Sequence, residues 1–267
     1  MVIIEVNNNS ASAKIALQGA HIFHYARKGE KPLLWLSDIS DFQDGKAIRG
    51  GVPVCWPSFG MNNPNLPQHG FARTALFEHQ STKEIDANTT EVILTLSYSQ
   101  ETLTLWPYKF ELELKVTVSD KLTMELITKN IDDKVFKITQ ALHTYFPVSH
   151  ISDAKIKGLN NKPYLDALTS EQLTQSGDVI FEEEVDRVYQ EVNSEVLLVD
   201  RDRTIHIQNE GSSSVVVWNP WIEKGKRMSA MRDDAYNDFV CIESANAFED
   251  FRLIEPGESH TLKATIY

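Results

Sequence analysis

Apolar and polar residues alternate with a period of two along much of this chain. Leu112, Leu114, Val116 and Val118 are each separated by one polar residue, the signature of a strand with one buried and one wetted face. Residues 92–98 form a second β-rich run and 122–127 a third. Ser119, Asp120 and Lys121, which precede the third run, predict a hairpin turn. Strands are also predicted over 3–6, 12–17, 136–142, 195–199, 204–208, 214–218, 239–242 and 260–266. No long stretch carries a helical period. Many short strands divided by polar turns predict an all-β chain, a large antiparallel β-sandwich or barrel rather than a doubly wound sheet. No fixed-spacing repeat and no low-complexity linker interrupts it. At 267 residues and 42% hydrophobic content, one domain spanning 1–267 is expected.

Region 47–73 departs from the alternation. Gly50, Gly51, Pro53, Pro57, Gly60, Pro64, Pro67 and Gly70 leave little room for regular structure, yet Trp56, Phe59 and Phe71 lie among them. Breakers interleaved with aromatics predict a rigid, partly packed loop, the kind of segment that carries binding groups. Trp218 and Trp221 flank another turn. Their faces suit a sugar ring, but core or pocket wall is the plainer expectation.

Two ionisable residues interrupt apolar runs. Glu243 follows Phe239, Val240, Cys241 and Ile242; in a strand it shares a face with Cys241, opposite Val240 and Ile242. His143 lies in a similar run and points with Ala141 and Tyr145. Buried charge is costly unless it is paired or its pKa shifts, and such shifts serve proton transfer near neutral pH. The two residues therefore form a candidate acid/base pair. The plainer alternatives are a hydrogen-bonded core histidine and a structural salt bridge.

Charge and cysteine content narrow the setting. A formal net charge of -12 and a pI near 5.1, with no basic cluster, argue against nucleic acid and anionic membrane as partners. The first residues, Met1 to Val6, contain no basic leader, and no apolar stretch approaches ~18 residues. A soluble, cytoplasmic protein is expected. Cys55 and Cys241 resemble neither a disulfide framework nor a zinc site, so free thiols are expected.

Six segments read in order, 49–57, 68–73, 143–146, 182–189, 218–221 and 241–243, resemble the D-hexose-6-phosphate mutarotases of the wider aldose 1-epimerase family. The Arg-Gly-Gly-Val-Pro run starting at Arg49 and the Gln-His-Gly-Phe-Ala-Arg run ending at Arg73 discriminate most. The resemblance implies a galactose mutarotase-like β-supersandwich. It also implies interconversion of the α and β anomers of a phosphorylated hexose, typically glucose 6-phosphate, with neither metal nor organic cofactor. His143 and Glu243 match the family's catalytic pair. Arg49, Gln68, Arg73 and Asp186 match its substrate-binding residues, while His69 is taken as secondary. A small-molecule sugar phosphate is thus the expected partner and a monomer the expected state.

The residue types suit that chemistry. Mutarotation opens a hemiacetal and recloses it on the other face, so a base must take the anomeric hydroxyl proton while an acid protonates the ring oxygen. Glu243 is the expected base and His143 the expected acid, with roles exchanged on reclosure. Arg49 and Arg73 offer guanidinium forks to a phosphate despite the acidic chain, since exposed charges are screened beyond about 8 Å at physiological ionic strength. A nucleotide-type phosphate loop is absent, because neither glycine cluster ends in Gly-Lys-Ser/Thr. Three rivals remain: a free-sugar aldose 1-epimerase, a glycoside hydrolase or lyase, and a non-catalytic carbohydrate-binding protein. Glycoside hydrolysis normally uses two carboxyl groups, whereas the pair here is His and Glu.

Overall fold

The period-two pattern is realised in two eight-stranded antiparallel sheets, seen in a computed structural model that describes residues 1–61 and 63–267. One sheet runs in the order Lys155–Lys157, Val196–Val199, Thr204–Glu210, Ser259–Ile266, Leu122–Asn130, Phe110–Val118, Thr89–Ser97, Glu78–Asp86. The other runs Gln172–Thr174, Pro163–Asp166, Val185–Tyr189, Ser214–Asn219, Phe239–Asn246, Gln140–Leu142, Val54–Cys55, with Tyr145–Pro147 also paired to Phe239–Asn246. A three-stranded sheet (Ile3–Asn7, Ala11–Ala16, His21–Arg27) and a two-stranded one complete the β structure. The predicted all-β class and antiparallel sandwich are what forms.

Alternation places the core. In Phe110–Val118 and Leu122–Asn130, inward residues such as Leu114, Val116, Met124 and Leu126 are fully buried, while their neighbours are partly exposed. Each such side chain contributes about 1.5–3 kcal/mol through burial. The expected hairpin joins these two strands, the Ser119 amide donating to the Lys121 carbonyl at 3.0 Å.

The expected 136–142 strand divides. Phe136–Ile138 pairs with Arg252–Ile254, whereas Gln140–Leu142 joins the second large sheet. Thr139 breaks the run because the breaker-rich loop takes its polar groups: its amide donates to Pro57 O at 3.1 Å, and its hydroxyl accepts from Phe59 N at 2.8 Å. Strand Glu78–Asp86 was not expected. It is an edge strand exposed along nearly all its length, so it has no buried face to write an apolar alternation.

Region 47–73 is a packed loop, as its aromatics predicted. Trp56 is fully buried, donates from Nε1 to Thr128 Oγ1 at 2.9 Å, and packs against Phe71, Trp106 and Phe110. Two glycines make the close approach possible. Gly70 has φ +72°, and a Cβ there would collide with the Trp56 carbonyl; Gly51 has φ +64°, and a Cβ would meet His21 Nε2 at 2.7 Å. Any side chain would force both backbones apart.

Candidate active site

Strand Phe239–Asn246 is buried at every position. Val240 and Ile242 enter the main core, Cys241 packs with Trp35, Tyr145 and Trp218, and Glu243 faces a cavity of about 390 Å³ on the Cys241 side. That is the facing which the alternation predicts. His143 does not lie within a strand as the apolar run suggested; it occupies the break between Gln140–Leu142 and Tyr145–Pro147. Its amide donates to Pro53 O at 3.0 Å, which ties it to the breaker-rich loop. The ring stacks on Tyr145 (centroids 5.0 Å, planes 15° apart) and meets Trp218 edge-on at 5.8 Å.

The two side chains meet. His143 Nε2 lies 3.2 Å from Glu243 Oε1. Burial drives both toward their neutral forms: the Glu243 carboxyl rises well above the usual range, helped by the nearby Asp186 charge, and His143 falls well below. His69, Arg73 and Arg49 add to the fall of His143. The neutral pair and the carboxylate–imidazolium pair hold the same number of protons and differ only in where one proton sits along this contact. Glu243 Oε2 and His143 Nδ1 are buried, and neither finds a hydrogen-bond partner of acceptable geometry among the described residues. The same is true of Arg49 Nε. Unmet polar atoms converging on one cavity mark a site built for a polar ligand.

All six residues singled out from the sequence line this cavity: Arg49, Gln68, Arg73, His143, Asp186 and Glu243. Arg49 donates from Nη1 to Tyr145 Oη at 3.3 Å, and Arg73 from Nη2 to the Gln68 carbonyl at 2.7 Å. Neither has a carboxylate partner among the described residues. Gln68 is exposed at the rim. Asp186 is part of an acidic run that reads as solvent-facing, yet it is half-buried on strand Val185–Tyr189, opposite Trp218 in the adjacent strand. Burial raises its pKa, and Lys224 at 3.4 Å opposes the rise.

Among the polar residues lining the cavity, His69, Lys224, Arg227 and Ser229 carry no reading from the sequence alone or only a secondary one. His69 has φ +64° and packs edge-on against His143 at 5.7 Å. Its Nδ1 accepts from Gly60 N at 3.3 Å, which leaves the proton of the neutral ring on Nε2. Burial and two arginines hold its pKa down to about 3. Lys224, Arg227 and Ser229 arrive from the helical turn Trp221–Gly225 and the residues after it. Two basic residues on a short polar segment look like ordinary solvated surface, so no local signal sets them apart. Trp218 forms part of the cavity wall, whereas Trp221 packs against the main core and Tyr236.

Larger hollows lie elsewhere, including one of about 820 Å³ lined by Lys14, Arg27 and Arg203. Three of its cations are already engaged: Lys14 with Glu5, Arg27 with Glu30, and Arg203 with the Pro32 and Pro147 carbonyls. Cys55 and Cys241 are free and buried, and burial pushes both thiols up. Among the described residues no helix is long and apolar enough to cross a membrane, and no group of three or more His, Cys, Asp or Glu side chains is placed to hold a metal ion.

Comparison with known proteins gives a consistent assignment. The family model described as aldose 1-epimerase matches residues 2–267. A Cenchrus ciliaris protein named "Putative glucose-6-phosphate 1-epimerase" is 37% identical over 258 residues, covering 92% of this chain and 78% of the relative. An Escherichia coli protein of the same name is 35% identical over 267 residues, covering 97% and 87%. The crystal structure of a "putative mutarotase" from Salmonella typhimurium superposes with a TM-score of 0.92 at 33% identity, covering 99% of this chain and 89% of that one.

Proposed function

Because the chain belongs to the aldose 1-epimerase family, we propose that it is an isomerase interconverting the α and β anomers of a hexose 6-phosphate, with glucose 6-phosphate as the expected substrate. The observation that carries this reading is the 3.2 Å contact between His143 Nε2 and Glu243 Oε1 at a cavity also lined by Arg49 and Arg73. In the carboxylate–imidazolium form of the pair, Glu243 takes the proton of the anomeric hydroxyl as the bond between C1 and the ring oxygen breaks, and His143 delivers a proton to that oxygen. Rotation about C1–C2 presents the other aldehyde face. Reclosure runs the two transfers in reverse, so no atom or electron is gained or lost. A base and an acid are needed at once, and a pair that shares one proton supplies both.

Binding is divided from chemistry. Arg49 and Arg73 hold the phosphate, where planar forks match its oxygens. Gln68 and Asp186 take sugar hydroxyls, and the stacked rings of Tyr145 and His143 with Trp218 form an apolar wall beside the reacting pair. We read the protein as a cytoplasmic monomer acting on a small sugar phosphate without a cofactor; its buried free thiols suit a reducing compartment. The test is anomer interconversion measured by polarimetry on glucose 6-phosphate and on glucose. A catalytic efficiency many-fold higher for the phosphate ester supports the reading. Equal efficiency, or a preference for free glucose, replaces it with a free-sugar aldose 1-epimerase, and binding without turnover replaces it with a carbohydrate-binding protein.

A further inference from the structure

The chain has nine arginines, and their partners divide them sharply. Arg27, Arg187, Arg201, Arg232 and Arg252 lie within 4.0 Å of a carboxylate. Arg203 donates to two backbone carbonyls. The three left without either arrangement among the described residues are Arg49, Arg73 and Arg227, and all three line the cavity of His143 and Glu243. In a protein of net charge -12, carboxylates are plentiful, so chance does not readily leave three guanidinium groups without a carboxylate partner around one hollow.

Arg227 is held at its base and free at its tip. Its amide donates to Lys224 O at 3.1 Å, and its Nε donates to Glu223 O at 3.1 Å. The next residue, Met228, packs on the cluster of Trp35, Tyr145, Trp218 and Met231, the same aromatic group that stacks on His143. The terminal nitrogens of Arg227 have no partner among the described residues, and the residue is exposed. Lys224, on the same helical turn, is the opposite case: it is spent on Glu184 at 2.9 Å and Asp186 at 3.4 Å. Arg49 and Arg73 are among the charges that act on His143, whereas Arg227 reaches the same cavity from the segment after the helical turn.

We infer that Arg227 is a third phosphate-contacting guanidinium, supplied by the segment after the Trp221–Gly225 turn, and that it sets preference for the phosphorylated sugar without taking part in proton transfer. This rests on the hexose 6-phosphate reading above. A dianion with three accessible oxygens accommodates three donors, and a contact to the non-reacting phosphate that is equal in the ground and transition states strengthens binding without raising turnover.

The test compares wild type, Arg227→Met and Arg227→Lys on glucose 6-phosphate and glucose, with inorganic phosphate as a competitive inhibitor. Loss of one charge-assisted contact raises KM for glucose 6-phosphate and Ki for inorganic phosphate by roughly tenfold, with kcat changed less than about twofold. The ratio of efficiencies for the two sugars then falls toward unity, and Lys restores part of it. The residue is exposed, so thermal melting is expected to match wild type and to exclude misfolding. If wild type prefers the phosphate ester but Arg227→Met keeps both KM and Ki, Arg227 is ordinary rim and the inference is overturned while the functional reading stands. If wild type shows no preference for the phosphate ester, the reading itself fails and this inference falls with it.

Discussion

The two eight-stranded sheets share an architecture and differ in how their second faces are used. In the sheet containing Phe110–Val118 and Leu122–Asn130, one face is buried and the other carries partly exposed polar residues, including the Lys115 and Glu125 pair at 2.7 Å. In the other, Ser214–Asn219 and Phe239–Asn246 are buried at every position. Their second face is covered by region 47–73 and by the residues that follow Trp221–Gly225. A carboxylate on the open face stays solvated and ordinary. A carboxylate on the covered face, such as Glu243, loses its water and gains the raised pKa that proton transfer near neutrality uses. A sheet covered on both faces can thus bury a glutamate that a sheet with one open face leaves solvated.

The largest effect that separates the two faces is on rate. Glu243→Gln keeps the shape but cannot accept a proton, and His143→Asn cannot deliver one; each lowers kcat by about 10² to 10⁴-fold with little change in the Ki of inorganic phosphate. Near-normal kcat in both folded variants contradicts the assigned chemistry.

Arg49→Met and Arg73→Met address the cavity's binding half. Each is expected to lower the glucose 6-phosphate over glucose efficiency ratio by roughly 10 to 100-fold, with Lys recovering only part because the planar fork is lost. Parallel loss on both sugars identifies a structural role instead.

The covering loop has its own acid sensitivity. His21 is fully buried, donates from Nε2 to Gly50 O at 2.8 Å, and burial lowers its pKa to about 4. Its folded pKa lies below the unfolded value of 6.5, so the stability it contributes is complete above that value and is lost as pH falls toward 4. The loss is on the order of 3 kcal/mol. His21→Gln keeps a donor for Gly50 and removes the titration. Denaturant melts at pH 7.5 and pH 4 are expected to differ less for the variant than for wild type by about that amount; equal differences place the acid sensitivity elsewhere, with His69 of the same loop, held down to about 3, the next candidate.

The smallest expected change is the control on the open face. Glu125→Gln breaks a partly exposed ion pair and is expected to cost no more than about 1 kcal/mol while leaving kcat and KM at wild-type values. A loss of rate there removes the distinction between the two faces.

Legibility in the sequence follows the same division. Strands with one wet face declare themselves by alternation, as Leu112 to Val118 do. The exposed edge strand Glu78–Asp86 has no buried face and gives no such signal. The break at Thr139 was hidden because it depends on Pro57 and Phe59, which are distant in sequence. Glu243 and His143 stood out individually as ionisable residues in apolar runs, whereas Asp186 in its acidic run and Arg227 on its short polar turn did not. The resemblance of motifs, not periodicity, brought Arg49, Gln68, Arg73 and Asp186 together before any geometry was available.

By itself the sequence determined the all-β class, most strand positions and the face on which Glu243 sits, because a period of two is local and each strand carries its own record of burial; the choice of sandwich over barrel came from the resemblance of motifs. Only the tertiary structure decided that His143 Nε2 meets Glu243 Oε1, that Lys224 is spent on Glu184 and Asp186, and that three arginines without carboxylate partners share one cavity. Those are distances between residues far apart along the chain. They are fixed by how a twice-covered sheet closes, and no local pattern encodes that closure.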